Sequence, residues 1–530
     1  MTQFDLRVAV ATEVPLVRWQ ARCIESLAEV PGVTVERWVQ VSPGRLHGGA
    51  RSGSGAVGIV PIPSVLRQLG PDAAPQLSAQ SALNGKVDIL LDLTGRGVAL
   101  PVPWASEVWR FRYGEAMSAD PARAALIDFV RTPGRTRVAL VVEPSREVVR
   151  EGWLSWWRGE QLDRILLDPA DWPAMAALDR TNPTMGEDAG SGPREDDTDA
   201  RRAGLTRRLG RGSGLPRPVL QVAAATRRTV RAASKLMRHD DWHIGIVEAP
   251  IESVIASGGD LQVTWLPGRR GRFAADPFGL ERDGVLHVFF EDFDQHVARG
   301  TISHVEIAAD GTVGDPEPVL DPGVHTSYPF LVEHQGATFL LPETAAAQRL
   351  VLYEAVDFPL RWQPAVTMLD GIPVVDASVI EYAGRWWMFA TRLDRGANHN
   401  LFIWHASELT GPWMPHAANP VKTDARSSRS GGTPFVSDGK LYRPSQDNSL
   451  VYGGRIVVNE VQILSPRAFV ERPVGAVGPS PGSPYPNGLH TLSRAGTRTL
   501  IDGNTRHFVK ETFRHDLAVR LRWRGPKNEA

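Results

Sequence analysis

The sequence predicts two unlike halves, a Rossmann-like α/β domain followed by an all-β five-bladed β-propeller, and three observations carry that expectation. The segment GRFAADPFGLERDGVLHVFFEDFD, residues 271–294, returns in altered form as TSYPFLVEHQGATFLLPET, VVDASVIEYAGRWWMFATR, RSGGTPFVSDGKLYRPSQD and NGLHTLSRAGTRTLIDG. The turn glycines of these copies, Gly284, Gly336, Gly384, Gly439 and Gly496, are spaced by 52, 48, 55 and 57 residues. The opening of the chain instead runs strand, helix, strand, the order of a parallel, doubly wound sheet.

Within the opening, DLRVAVA, residues 5–11, has a buried-strand pattern, and Pro15 can open a helix through LVRWQARCIESLAEV. Leu16, Trp19, Cys23 and Leu27 fall at helical spacing on its apolar face. Cys23 therefore reads as a small core residue rather than a nucleophile. VTVERWVQV is a second strand and VDILLDLTG, residues 87–95, a third. Helix and strand signals continue over residues 120–180, including TRVALVVE and REGWLSWWRG. Residues 181–216 are rich in Gly, Pro and charge and poor in apolar side chains, the composition of a disordered linker. Residues 217–241 read as a basic helix with Arg217, Arg227, Arg228, Arg231, Lys235 and Arg238. Such a helix suits peripheral contact with an anionic membrane surface or a polyanion; the alternative is a solvated face with its other side packed on the propeller. The propeller is expected over residues 242–510 and a tail over 511–530.

Composition excludes several function classes. Lys and Arg number 59 against 60 Asp and Glu, so nothing in the net charge points to nucleic acid as a partner. One cysteine leaves no intramolecular disulfide and no Cys-rich zinc site. No HExxH, EF-hand loop, GxGxxG or GKT/S pattern is present, so neither a metal nor a cofactor is expected. Without a signal-peptide pattern or a long apolar run, the chain reads as soluble and cytoplasmic.

The repeats place the chemistry. A two-strand unit recurring about every 50 residues leaves room for two more strands, the content of a propeller blade; a β-sandwich or β-solenoid is the alternative. Inner strands of all blades converge on one axis, so residues distant in sequence meet there. Asp276 and Asp376 head the first and third copies, and Glu291 and Glu343 each lie seven residues after a turn Gly, a register shared with Thr391 and Gln446. Glycosidic chemistry needs one protonated and one ionised carboxyl about 5 to 10 Å apart. Asp276, Asp376, Glu343 and Glu291 are carboxyls that can meet on that axis, and a resemblance of the layout to five-bladed glycoside hydrolases implies that they are the catalytic candidates. Each has a structural alternative: a turn cap for Asp276, a paired buried acid for Asp376, interblade latches for the two glutamates. Asp292, Tyr328, Arg429, Arg443, Gln446, Asp447 and His490 are the candidate lining, suited to sugar hydroxyls, carboxylate or phosphate. Trp386, Trp387 and Trp413 read as core rather than sugar platforms.

Two resemblances extend this reading. The ordered set ADPFGLERDG, FFEDFD, HTSYPF, LPET, VVDASV, GRWWMF, GPWMPHAANPV, YRPSQD, YGGRI and GLHTL resembles the N-terminal propeller domain of the plant glucosamine inositolphosphorylceramide transferases, over about residues 242–502. More distantly, the layout is similar to five-bladed family 43 glycoside hydrolases, in which an Asp base, a pKa-tuning Asp and a Glu acid stand on the first, third and fourth blades. Asp276 and Asp376 match the two aspartates, but Arg429, Ser430, Gly431 and Gly432 stand where the acid Glu would be. The resemblance implies a carbohydrate or glycolipid substrate, and Glu343, Glu291 or Asp292 is the candidate to replace the missing acid. Residues 1–180 resemble the formyltransferase fold in their strand-helix-strand order, in VDILLDLTG and in VWRFRYGEAM. Phe111, Arg112, Tyr113, Gly114 and Glu115 occupy the place of that family's catalytic His segment, which implies a degenerate domain. Three readings follow: an enzyme of glycosyl transfer or hydrolysis, a non-catalytic glycan-binding scaffold, and a formyltransferase acting on an amino sugar.

Overall fold

The computed structural model describes residues 6–12, 18–41, 57–60, 86–94, 102, 104–114, 117, 135–155, 166–181 and 239–507, less Asp260 and Pro481. The expected linker beyond Thr181, the basic segment through Arg238 and the tail lie outside the described residues. The chain divides into two compact units, Met1–Arg217 and Pro218–Ala530.

The first unit holds β1 (Leu6–Thr12), α1 (Arg18–Ala28), β2 (Val33–Val41), β3 (Val57–Val60), β4 (Val87–Asp92), β5 (Ala105–Tyr113), β6 (Arg135–Glu143), β7 (Glu147–Ser155) and α2 (Trp172–Thr181). They form one seven-stranded sheet in the order β3-β2-β1-β4-β5-β6-β7. β1 pairs in parallel with β2 and β4, and β4 in parallel with β5, as the strand-helix-strand reading requires. β3, β6 and β7 join through antiparallel pairings, which corrects the expectation of a wholly parallel sheet to a mixed one. The cause is local at β6 and β7: only three residues separate them, and a tight connection can join only antiparallel neighbours. α1 buries Trp19, Cys23, Ile24 and Leu27, and Cys23 is a core residue, as its position on the apolar stripe predicts. Trp19 meets Phe111 edge to face at 5.9 Å, and Trp172 of α2 joins the same cluster.

The second unit begins with β8 (His239–Val247), α3 (Ile251–Ser257) and β9 (Thr264–Trp265). Positions 239–241, expected at the end of the basic helix, are thus strand. Four sheets follow in chain order. The first is β10 (Arg272–Arg282), β11 (Val285–Asp294), β12 (Arg299–Ile307) and β13 (Glu317–Leu320); the second is β14 (Ser327–His334), β15 (Ala337–Glu343), β16 (Arg349–Asp357) and β17 (Arg361–Asp370). The third is β18 (Val374–Tyr382), β19 (Arg385–Arg392), β20 (Asn400–Ala406) and β21 (Met414–Pro415), with β22 (Lys422–Thr423) also paired to β20. The fourth is β23 (Phe435–Ser437), β24 (Lys440–Gln446), β25 (Ile456–Leu464) and β26 (Phe469–Val477). The fifth sheet joins the two ends of the unit: β27 (Leu492–Ala495) and β28 (Arg498–His507) pair on through β8 to β9. The result is a five-bladed propeller closed by strands from both ends. The fifth repeat carries only two strands of its own, and the repeat spacing gave no sign that β8 and β9 supply the rest.

Each turn glycine sits between the first two strands of its blade. In the first four blades it follows a second residue with positive φ: Asp283 and Gly284 at 50° and 78°, Gln335 and Gly336 at 51° and 81°, Ala383 and Gly384 at 52° and 73°, Asp438 and Gly439 at 51° and 74°. Two successive positive φ angles make the type I′ turn, whose twist matches that of paired strands. Trp386, Trp387 and Trp413 are buried in blade cores, as expected.

Candidate functional site

The first strands of the blades share a second device. In β10, β14 and β18 the pairing register slips at the same place, between Ala275 and Phe278, Ser327 and Phe330, and Val375 and Ser378. Inside these bulges Asp276, Tyr328 and Asp376 adopt φ of 51°, 47° and 50°. A bulge re-aims the side chain it carries, and non-Gly residues in this conformation mark functional or strongly constrained positions. β10 packs against β14 and β27, and β14 against β18, so these re-aimed residues belong to the innermost strands.

Asp376 is 2 % exposed and held from two sides. Arg429 donates from Nε to Oδ2 at 2.5 Å and from its second terminal nitrogen to Oδ1 at 3.3 Å. Gln446 Nε2 donates to Oδ2 at 2.8 Å and to the carbonyl of Ser430 at 2.8 Å. Glu343, partly exposed at the end of β15, accepts the backbone N–H of Asp376 at 3.3 Å. Across the ring, Asp276 accepts from Thr491 Oγ1 at 2.9 Å and lies 3.7 Å from His490 Nε2. His490 Nδ1 is ion-paired with Asp502, whose other oxygen accepts the amides of His490 and Thr491 at 2.8 and 3.0 Å. The imidazole stacks on Trp242 with centroids 3.8 Å apart, and Tyr452 meets it edge-on at 5.5 Å. Glu291 reaches toward His325 Nε2 at 3.7 Å.

Five carboxyls gathered here cannot all stay charged. Burial, then the charges of Asp376 and Asp502, push Asp276 up to about 6 against the pull of His490 and Thr491. Burial also holds Glu291 well above the carboxylate range, aided by Asp276, Glu343, Asp376 and Asp502. Glu343 is raised well above it by burial and by Asp376, with Arg429 opposing. Burial disfavours the His490 imidazolium, but Asp502, Asp276 and Asp376 outweigh it and raise its pKa. The site thus combines carboxyls that favour the acid form with an Asp376 ion-paired to Arg429, the division that acid-assisted acetal chemistry needs.

The structure brings together Asp276, Asp376, Glu343, Glu291, Arg429, Gln446 and His490. It assigns the remaining candidates to other work. Asp292 is taken up by Arg269 at 2.6 Å, Arg272 at 2.7 Å and Ser303 at 3.0 Å. Its neighbour in sequence, Glu291, faces the other side of the sheet, as strand alternation dictates. Tyr328 is fully buried; its hydroxyl bonds Ser378 at 2.9 Å and accepts the Gly432 amide at 2.7 Å, tying three blades together. Arg443 has no exposure and is consumed by Glu471 and the carbonyls of Ser427 and Ser428. Asp447 binds Ser449 and Arg455. Sequence reasoning missed Asp502, Thr491, Trp242, Tyr452 and His325. Asp502 was findable, because it follows Gly496 by six residues, next to the register of Glu291 and Glu343. Among the described residues, Asp276, His490 and Asp502 also present ligand atoms within 4.8 Å of one another, so this corner could hold a cation.

Residues 262–482 match the family model described as the N-terminal part of glucosamine inositolphosphorylceramide transferase 1. Proteins of that name from Oryza sativa subsp. japonica and Arabidopsis thaliana are 33% identical over 213 residues and 34% identical over 210 residues. These alignments cover 39% and 38% of this chain, and the chain spans only 28% and 27% of those relatives. Similar solved structures include CoXyl43, a GH43 β-xylosidase/α-arabinofuranosidase from a compost microbial metagenome, at 15% identity and TM-score 0.30, covering 38% of this chain and 73% of that one. An exo-1,5-α-L-arabinanase from a bovine ruminal metagenomic library is 13% identical with TM-score 0.31, covering 44% of this chain and 94% of that one. The family match begins at residue 262, so the formyltransferase likeness of residues 1–180 gains no support from it.

Proposed function

We propose that the propeller acts on glycosidic linkages, by transfer or hydrolysis, in surface polysaccharide or glycolipid metabolism. The observation that supports this most is the meeting of Asp276, Glu291, Glu343 and Asp376 from three blades in one electrostatically coupled cluster, with three of the four pushed toward the acid form. Glu343 is the preferred proton donor, because it is more exposed than the other three and its pKa is raised. Asp276 serves as the carboxylate that activates the attacking hydroxyl or water, and His490, carried by Asp502, favours its ionised form. Arg429 and Gln446 fix Asp376 rather than grip the sugar, since their donors are engaged by Asp376, by Asn398 and by the Ser430 carbonyl. The transferase name of the relatives agrees with a carbohydrate or glycolipid substrate.

The near-complete burial of Asp376 and His490 favours a second reading, a glycan-binding propeller whose inner polar ring is structural. One comparison separates the two. The wild-type chain and Asp276→Asn are assayed for turnover against a panel of aryl glycosides and nucleotide-sugar donors, with glycan binding measured in parallel. Loss of turnover with binding retained supports the enzyme. Unchanged turnover in the variant removes it, and binding without wild-type turnover leaves the scaffold.

A further inference from the structure

We propose a transition-metal site on the first blade, formed by His287, His304 and Glu306 and suited to Zn2+. His304 and Glu306 lie two residues apart on β12, so strand alternation projects both to one face of the sheet. His287 on β11 stands directly opposite Glu306 in the pairing register, on that same face. The three side chains present ligand atoms within 4.8 Å of one another. His287 Nδ1 lies 3.1 Å from His304 Nε2 and 3.7 Å from Glu306 Oε1. A tetrahedral zinc with bonds of about 2.05 Å separates its ligand atoms by about 3.4 Å, between those two distances.

The surroundings fit a metal better than an idle polar pair. His287 and His304 are 8% and 3% exposed, walled by Phe289 and Phe358, while the Glu306 side chain is 55% exposed. A cation can therefore enter past the carboxylate, and its fourth position faces solvent. The two imidazoles face each other nitrogen to nitrogen, 3.1 Å apart, with ring nitrogens available as ligands. In the metal-free chain one imidazole N–H must point at the other ring's lone pair. On binding, that proton moves to the donor ring's second nitrogen and both facing lone pairs turn to the metal. Arg282, the cation that acts on His287, is engaged by Glu333 at 2.8 Å. Two imidazoles and one carboxylate favour Zn2+ or Co2+ over Ca2+ or Mg2+, which prefer all-oxygen sets. The metal would clip β11 to β12, away from the carboxyl cluster of the candidate active site.

The full chain, stripped with a chelator, is titrated with Zn2+ by calorimetry and with Co2+ by visible absorption. Expected are one equivalent bound through His287, His304 and Glu306, visible bands of a low-symmetry Co2+ site, and a higher melting temperature with Zn2+. Glu306→Gln, at an exposed position, weakens binding at least tenfold, and His304→Gln abolishes it; Asp276→Asn leaves it unchanged. Absence of binding by the wild-type chain overturns the site. So does binding that survives Glu306→Gln and His304→Gln, or binding lost in Asp276→Asn, which would move the metal to the cluster of Asp276, His490 and Asp502.

Discussion

Asp276→Asn should make the propeller more stable at alkaline pH. The Asp276 carboxyl titrates near 6 in the fold against 3.8 for an unperturbed aspartate. At about 1.4 kcal/mol for each tenfold change in proton affinity, keeping it ionised costs the folded state about 3 kcal/mol. Because the folded pKa is raised, the native state binds the proton more tightly than the unfolded chain. The favourable contribution is complete below about pH 4 and is lost as pH rises through 6. Asparagine removes the titration while still offering an oxygen to Thr491, at the loss of the attraction to His490, so about 3 kcal/mol is the ceiling. With a shift of about 2 °C per kcal/mol in a domain of this size, the propeller transition rises by up to about 6 °C at pH 8. Calorimetric melting of both proteins at pH 4 and pH 8 tests this, with near-equality expected at pH 4. A variant less stable than the wild type at pH 8, or a difference independent of pH, refutes the idea that burial and neighbouring charges strain this carboxylate.

Glu343→Gln should alter the pH dependence of whatever glycosidic turnover the wild type shows. A general acid works only while protonated, so the wild-type rate falls as pH rises through the raised Glu343 pKa; the glutamine variant loses that limb and about 10²- to 10⁴-fold in rate. A pH–rate profile with an unchanged alkaline limb assigns the proton to another group. Gly432→Ala should abolish folding of the propeller: at φ 131° its added Cβ would lie 1.8 Å from the Leu492 carbonyl oxygen, a backbone atom of the next blade that cannot step aside. A variant with wild-type melting behaviour would show that blades four and five are more loosely joined than this contact requires.

How much of this could be read in the sequence differs by scale. The five turn glycines were visible because each hairpin turn takes positive φ there, four of them in type I′ geometry, and glycine meets that demand cheaply. The convergence of Asp276, Glu291, Glu343 and Asp376 followed from the same register, since equivalent positions on successive blades share a distance from the axis. Two things were not readable. Blade closure by β8 depends on a pairing across more than 250 residues, Thr499 with Val247 at one end and His507 with His239 at the other, and no local pattern announces it. The split of the polar candidates into site and scaffold depends on partners: Arg429 and Arg443 are both buried arginines, yet one is paired with an inner-strand aspartate and the other with Glu471 of β26.

The repeated bulge shows why register alone misassigns residues. Asp276, Tyr328 and Asp376 occupy one structural position on three blades, each in a left-handed conformation that costs roughly 1 to 2 kcal/mol for a residue with a Cβ. Blades one and three use the bulge to aim a carboxylate into the cluster. Blade two uses it to send a phenol across to the Ser378 hydroxyl and the Gly432 backbone, bonds that anchor the blade carrying Asp376. In blade four glycine takes φ 131° and leaves room for Leu492, while Arg429, three residues earlier, crosses to Asp376. The fourth blade thus contributes a cation that pairs with the carboxylate of the third. On the proposed reading, proton donation falls to Glu343 or Glu291, carboxyls of the second strands that burial and their acidic neighbours hold toward the acid form.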